Sequence, residues 1–190
     1  MMVHFQTITP GEYKANRANY QIFYAFHPTP FGDCLLAITG TDKAIVFLAF
    51  VDESKEKALM ELKNDWPFSE LIEDTASETK KIVQKVFSER VSSDDTILIT
   101  LKGTEFEMEV WKALLLIPKG TTTTYGQIAC NIDKPKAVRA VANAIMRSNI
   151  GYLVPCHRVV SRSGNNKYKW GTDRKESIQN YERKYINISK

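Results

Sequence analysis

The chain has 190 residues, 43% hydrophobic and 25% charged, with a net charge of +4. These are the proportions of a soluble globular protein, long enough for one large domain or two small ones. No apolar run is long enough to span a bilayer, and Met1-Met2-Val3-His4-Phe5-Gln6 lacks a signal peptide's charged-then-apolar pattern, so a membrane or secreted protein is not expected.

The three cysteines, Cys34, Cys130 and Cys156, are an odd count with no Cys-x-x-Cys spacing. That argues against a disulfide framework and for a reducing cytoplasm. With His4, His27 and His157 they form no zinc pattern, so no zinc site is expected. Charge is unevenly spread. Residues 1–118 carry 12 Lys and Arg against 18 Asp and Glu, and residues 119–190 carry 14 against 4. A basic second part predicts a polyanionic partner, most simply nucleic acid, with a solvated lysine-rich tail as the alternative.

Residues 1–19 read as a loosely attached extension, in which Thr9 caps a short helix opened by Pro10. An α/β domain is expected over 20–102. Its strands are Tyr20–Phe26, Cys34–Thr39, the fully apolar Ala44–Phe50 and Thr96–Leu101, with His27-Pro28 breaking the first. Its helices cover 54–64 and roughly 73–88, and Ser92-Ser93-Asp94-Asp95 is a turn. Cys34 falls in a strand and reads as core.

A mostly helical domain is expected over 103–190. Thr104-Glu105-Phe106-Glu107 is a capping-box pattern opening a helix that stops before Pro118. Thr124 caps a helix from Tyr125 to Ile132, Asp133-Lys134-Pro135 turns, with Pro135 near the first helical position, and Lys136 to Met146 is a second helix. Such a helix-turn-helix commonly docks on DNA, and Lys136, Arg139 and Arg147 supply charge while Ala137 and Ala140 permit close approach. A last helix covers Thr172 to Arg183, and Asn187 to Lys190 fray.

The chemistry centres on Val154-Pro155-Cys156-His157-Arg158-Val159-Val160. A thiol is nucleophilic as its thiolate, and an adjacent histidine is the nearest base. By itself the Cys-His pair is also compatible with a cysteine that only fills space. The string Pro155-Cys156-His157-Arg158-Val159-Val160 resembles the active-site signature of the O6-alkylguanine-DNA alkyltransferases, the methylated-DNA–protein-cysteine methyltransferases, which move an alkyl group from DNA onto their own cysteine. The resemblance extends over roughly residues 20–184. Tyr168-Lys169-Trp170-Gly171-x-x-Arg174-Lys175 most resembles the alkyltransferase domain of bacterial Ada proteins. Thr9-Pro10-Gly11-Glu12-Tyr13 resembles the closing segment of AraC-type domains, although an ordinary N-terminal turn reads the same residues equally well.

The resemblance implies that Cys156 is the alkyl acceptor, that His157 acts through a water as its base, and that Glu182 orients the histidine. It implies that Tyr125 rotates the damaged nucleotide out of the duplex and that Arg139 fills the gap. It implies a pocket walled by Tyr168, with Val159 reading the base and Lys169 beside it. Ser148 stands where the family usually has an asparagine, with Asn149 one residue on. The expected reaction is repair of O6-methylguanine and O4-methylthymine in double-stranded DNA, once per molecule, by a monomer without cofactor. The other readings are a lesion-binding relative that does not repair, which usually lacks the cysteine, a Cys-His hydrolase, which would need an oxyanion hole and turnover, and a methyl-responsive transcription factor, for which the chain has no separate promoter-reading domain.

Overall fold

The computed structural model describes residues 2–16, 20–88, 96–162 and 167–188. The chain divides into two compact units, Met1–Thr104 and Glu105–Lys190.

The first unit holds strands β1 (Met2–Ile8), β2 (Gln21–Thr29), β3 (Gly32–Thr39), β4 (Ile45–Phe50), β5 (Glu70–Glu73) and β6 (Thr96–Lys102). Helices α1 (Pro10–Ala15), α2 (Lys55–Asp65) and α3 (Glu78–Val86) complete it. The sheet order is β1-β6-β4-β3-β2-β5. β2, β3 and β4 form an antiparallel meander, while β1 with β6, β4 with β6 and β2 with β5 run parallel. Every residue of β4 is buried, as is Cys34–Thr39 of β3. A strand buried on both faces reads as a continuous apolar run, and Ile45–Phe50 is one. Cys34 is wholly buried in this core.

Four expectations for this unit are corrected. Residues 1–19 are not loosely attached along their length, because Met2–Ile8 pairs in full register with Thr96–Lys102. Most of β1 is exposed, as an edge strand is, so it lacks the apolar alternation that marks a half-buried strand. The Thr9 cap does form, as a capping box with Glu12, and the helix it opens buries Tyr13. Tyr13 packs on Tyr20, Trp66 and Phe68, and its hydroxyl accepts from the Phe68 amide at 2.9 Å. Second, β2 runs through His27-Pro28. Its β5 neighbour reaches only Gln21–Tyr24, so the missing Pro28 N–H disrupts no ladder on that side. Third, Glu70–Glu73 is a strand of four residues, too short to show periodicity. Fourth, α3 begins at Glu78 rather than near 73, because Asp74 accepts from the Thr79 amide and hydroxyl at 2.7 and 2.6 Å and holds the chain in a loop. The turn expected at 92–95 lies outside the described residues.

The second unit is mostly helical: α4 (Glu105–Leu115), α5 (Tyr125–Asn131), α6 (Val138–Arg147) and α7 (Thr172–Ile188). The strand pair β7 (Thr123–Thr124) and β8 (Val159–Val160) runs parallel. α4 and α6 are pinned where the Trp111 indole N–H donates to the Ala144 carbonyl at 2.8 Å. Thr124 caps α5 by accepting from the Gln127 amide.

The turn between α5 and α6 closes with the Lys134 amide on the Ala129 carbonyl and the Asp133 amide on the Cys130 carbonyl. This is the Schellman pattern, with Asp133 at φ 57 in the left-handed place usually given to glycine. The motif and a further turn bond from Ala137 to Lys134 use up Pro135 and Lys136. The second helix therefore starts at Val138, and Pro135 sits in the turn instead of near the first helical position. α7 runs past Arg183 to Ile188, through part of the expected frayed end.

Candidate active site

Pro155 leads Cys156–Arg158 into a single 3-10 turn. The turn is closed by the Arg158 amide on the Pro155 carbonyl at 3.0 Å, and the Val159 amide returns to the Cys156 carbonyl. Beyond it the chain extends into β8, which pairs Val159 and Val160 with Thr123 and Thr124. The turn thus sits beside the start of α5. Cys156 is 6% exposed and His157 fully buried.

Glu182 of α7 is the hub of this site. It is 1% exposed and accepts from four donors. His157 Nε2 meets its Oε1 at 3.0 Å, Arg158 grips it through Nη2 at 2.6 Å and Nε at 3.0 Å, and the Gly120 amide adds 2.9 Å. Arg158 Nη1 also donates to the Ile117 carbonyl at 2.6 Å. Burial pushes the Glu182 carboxyl up, but the hydrogen bonds and charges of His157 and Arg158 outweigh it and hold the group at about 2. An ionised carboxylate only accepts, so Nε2 of His157 carries the proton. Burial also pulls the imidazole pKa down, against the pull of Glu182, which favours the neutral ring. Its Nδ1 is left as a lone-pair acceptor, buried and without a protein partner among the described residues.

Burial pushes the Cys156 thiol up to about 11. Lys175, the Tyr168 hydroxyl and Lys169 oppose that rise. Lys175 is 1% exposed and donates to the Val159 carbonyl at 2.6 Å. Burial lowers its own pKa and the nearby Cys156 raises it. Tyr125, the first residue of α5, is half-buried, and its phenol is raised by burial and by Cys156. Among the described residues no group of three or more His, Cys, Asp or Glu side chains could hold a metal ion.

The structure gathers Cys156, His157, Glu182, Val159, Tyr168 and Tyr125 in this one region. Tyr168 is buried and edge-on to Trp170 at 5.5 Å. Lys169 bonds the Asn149 side chain and lies over the Trp170 ring at 5.3 Å. Ser148 is buried at the C-cap of α6, so Asn149 is the residue of this pair that meets Lys169. Lys136, Arg139 and Ala140 are exposed and Ala137 half-buried around the start of α6. Arg147 stands apart at the far end of that helix, where its guanidinium donates to Glu107 at 2.8 Å.

Sequence reasoning missed Lys175, Gln179 and the clamp made by Arg158. Gln179 donates to the His157 carbonyl at 2.6 Å. The available signal was helical spacing, since Lys175, Ile178, Gln179 and Glu182 fall on one face of α7. Polar residues on the face that carries a wholly buried Ile178 mark a site and not a solvated surface.

Residues 105–184 match the sequence profile of the family described as 6-O-methylguanine DNA methyltransferase, DNA binding domain. That places the helical unit, with its helix-turn-helix and buried Cys-His-Glu array, among the DNA-binding domains of methyl-transfer proteins. A methylated-DNA–protein-cysteine methyltransferase of Methanosarcina acetivorans is 37% identical over 158 residues, covering 83% of this chain and 96% of that one. The regulatory protein Ada of Salmonella typhimurium is 32% identical over 175 residues, covering 90% of this chain and 48% of Ada. The crystal structure of Mycobacterium tuberculosis O6-methylguanine methyltransferase superposes with a TM-score of 0.69 at 29% identity, covering 90% of this chain and all of that one. The chain belongs to the methylated-DNA–protein-cysteine methyltransferase family. The activity of that family is DNA repair by transfer of an alkyl group to a protein cysteine. Its two-part fold is shared as well.

Proposed function

We propose that Cys156 is the alkyl acceptor, that the substrates are O6-methylguanine and O4-methylthymine in double-stranded DNA, and that each molecule reacts once. The observation that carries the reading is the Glu182–His157 pair at 3.0 Å, with a bare Nδ1, on the residue beside the thiol. A thiol at about 11 is almost wholly protonated near neutral pH, so the proton must leave as the sulfur attacks. His157 takes it at Nδ1 through a water. Glu182 holds the ring in the required tautomer and stabilises the imidazolium that forms.

A methyl group inside a base stack is out of reach, so the nucleotide is turned out of the duplex. Tyr125, at the start of α5, presses on the backbone and later returns a proton to the departing base, and Arg139 at the start of α6 fills the vacated stack. Lys136, Ala137, Ala140 and Arg147 lie along the duplex. Sulfur attacks the methyl carbon in line, the S–C bond forms as the C–O6 bond breaks, and the electron pair leaves with guanine, which is then protonated. A thioether is a poor leaving group, so the product does not revert. Val159, Tyr168, Lys169, Ser148 and Asn149 shape the base pocket. DNA contacts and alkyl acceptor thus fall in the unit 105–190, and the α/β unit supplies neither.

The test is stoichiometric. A duplex carrying one tritiated O6-methylguanine is mixed with the protein, and the digest is read by mass. One methyl per protein on the Cys156 peptide, absent in Cys156→Ala, is the expected result. Tight binding without transfer would instead make the protein a lesion binder, and release of several equivalents would make it a hydrolase.

A further inference from the structure

Tyr152 lies four residues before the cysteine, outside every recognised motif. It is one of only four non-glycine residues with positive φ among those described, at φ 64. The left-handed region is unfavourable for a bulky side chain and is kept only where the surroundings enforce it. Here the enforced conformation lays the phenol ring on the imidazole of His157, with centroids 6.0 Å apart and planes 15° from parallel. Tyr152 is itself half-buried. Burial raises its phenol, and Tyr181 and Glu182 act in the same direction.

We propose that Tyr152 is a positioning residue, a lid on one face of His157 that keeps water off that face and fixes the plane in which Nδ1 points. This rests on His157 being the base. Two effects of a stacked ring oppose each other. Excluding water disfavours the imidazolium, whereas an aromatic face attracts a cation, and that attraction fades at about 6 Å. At 6.0 Å, with His157 fully buried, water exclusion wins. The charged and titratable groups facing His157 are Cys156 and Arg158 on its own turn and Lys175 and Glu182 on α7. Lys119, on the turn after α4, acts one step out, on Glu182 and Arg158.

The experiment compares wild type, Tyr152→Phe, Tyr152→Leu and Tyr152→Gly. Glycine takes φ 64 without strain, so that variant keeps the backbone path while removing the ring. Two readouts are followed across pH 5 to 9: the His157 ring resonances in the free protein, and methyl transfer from a lesion duplex. Phenylalanine should match wild type in both. In the leucine and glycine variants His157 should titrate at least about half a pH unit higher. For a half-unit rise, transfer should then fall toward the acid end of that range, approaching about threefold only below the His157 pKa, while staying within about twofold at pH 8. An unchanged titration in the ring-less variants, or a loss equal at every pH that follows a lower Tm, would make Tyr152 mere filling and overturn the proposal. Because the titration needs no DNA, failure of wild type to transfer methyl would sink the repair reading and leave the lid to be judged by the resonances.

Discussion

Arg158 and His157 hold the same carboxylate. Arg158 reaches Glu182 at 2.6 and 3.0 Å and His157 reaches it at 3.0 Å, so the guanidinium fixes the acceptor for the imidazole. The guanidinium keeps Glu182 ionised and also lowers the pKa of His157. Arg158 thus bears on both the position and the proton affinity of the base beside it.

Glu182→Gln tests this arrangement through stability. The amide matches the shape but turns an NH2 group toward donors, which costs on the order of 3 kcal/mol at a buried, multiply bonded site. The pH dependence follows from the depressed carboxyl, about 2 when folded against an ordinary 4.5. The stabilisation is present above the ordinary value and is lost as pH falls toward 2. Urea unfolding of wild type should therefore weaken through that acid window more steeply than unfolding of the variant. Parallel curves would show that Glu182 gains nothing from its partners.

The three cysteines should separate by reactivity. Cys130 is exposed, Cys156 is nearly buried with its thiol raised to about 11, and Cys34 is buried and raised to about 12. Labelling with a haloacetamide near neutral pH should modify Cys130 first, Cys156 slowly with a rate climbing into the alkaline range, and Cys34 only on unfolding. If Cys156 labels fastest at pH 7, the resting site already holds a thiolate and no concerted proton removal is needed.

The basic residues around α6 should behave differently from one another. Lys136→Ala should lower the slope of log K against log salt by about 0.9, as the loss of one phosphate contact does. Arg139→Ala should slow repair of a lesion duplex more than it weakens binding to undamaged DNA. Arg147→Ala should lose the pair with Glu107, at about 1 kcal/mol or less for so exposed a guanidinium. Equal effects of all three on undamaged DNA would remove the special place of Arg139.

Tyr13 is 3% exposed and anchors the N-terminal segment to Tyr20, Trp66 and Phe68. Tyr13→Ala should cost about 3–4 kcal/mol, as large-to-small changes at buried aromatics do. Tyr13→Phe should cost about 1 kcal/mol for the hydroxyl that bonds the Phe68 amide and Ser69. Differential scanning calorimetry resolves both, and an alanine variant as stable as wild type would mean the segment is not anchored.

What was legible in the sequence was local. The Thr9 and Thr124 caps, the apolar Ile45–Phe50 run and the Asp133 turn each declare themselves within a few residues. β1 and β5 did not, because one is an exposed strand whose partner lies 94 positions away and the other has four residues. The start of α6 was misplaced by two residues, because the Schellman closure consumes chain that its composition makes look helical. In the site, Cys156 and His157 announce themselves as neighbours, whereas Glu182 became interpretable only by resemblance. By residue type alone Lys175 and Tyr152 declare no role. What distinguishes them is a wholly buried amine and a left-handed backbone, and neither follows from residue type.

The pairing of Met2–Ile8 along Thr96–Lys102 has a bearing on how the chain tolerates trimming. A chain cut to begin at Tyr20 would bare one side of β6, a seven-residue edge that carries the buried Ile97, Ile99 and Leu101. Unpaired strand edges of that length template pairing with other copies. The strand Met2–Ile8 therefore acts as a guard against self-association, and its removal would be felt as aggregation before it was felt as lost chemistry.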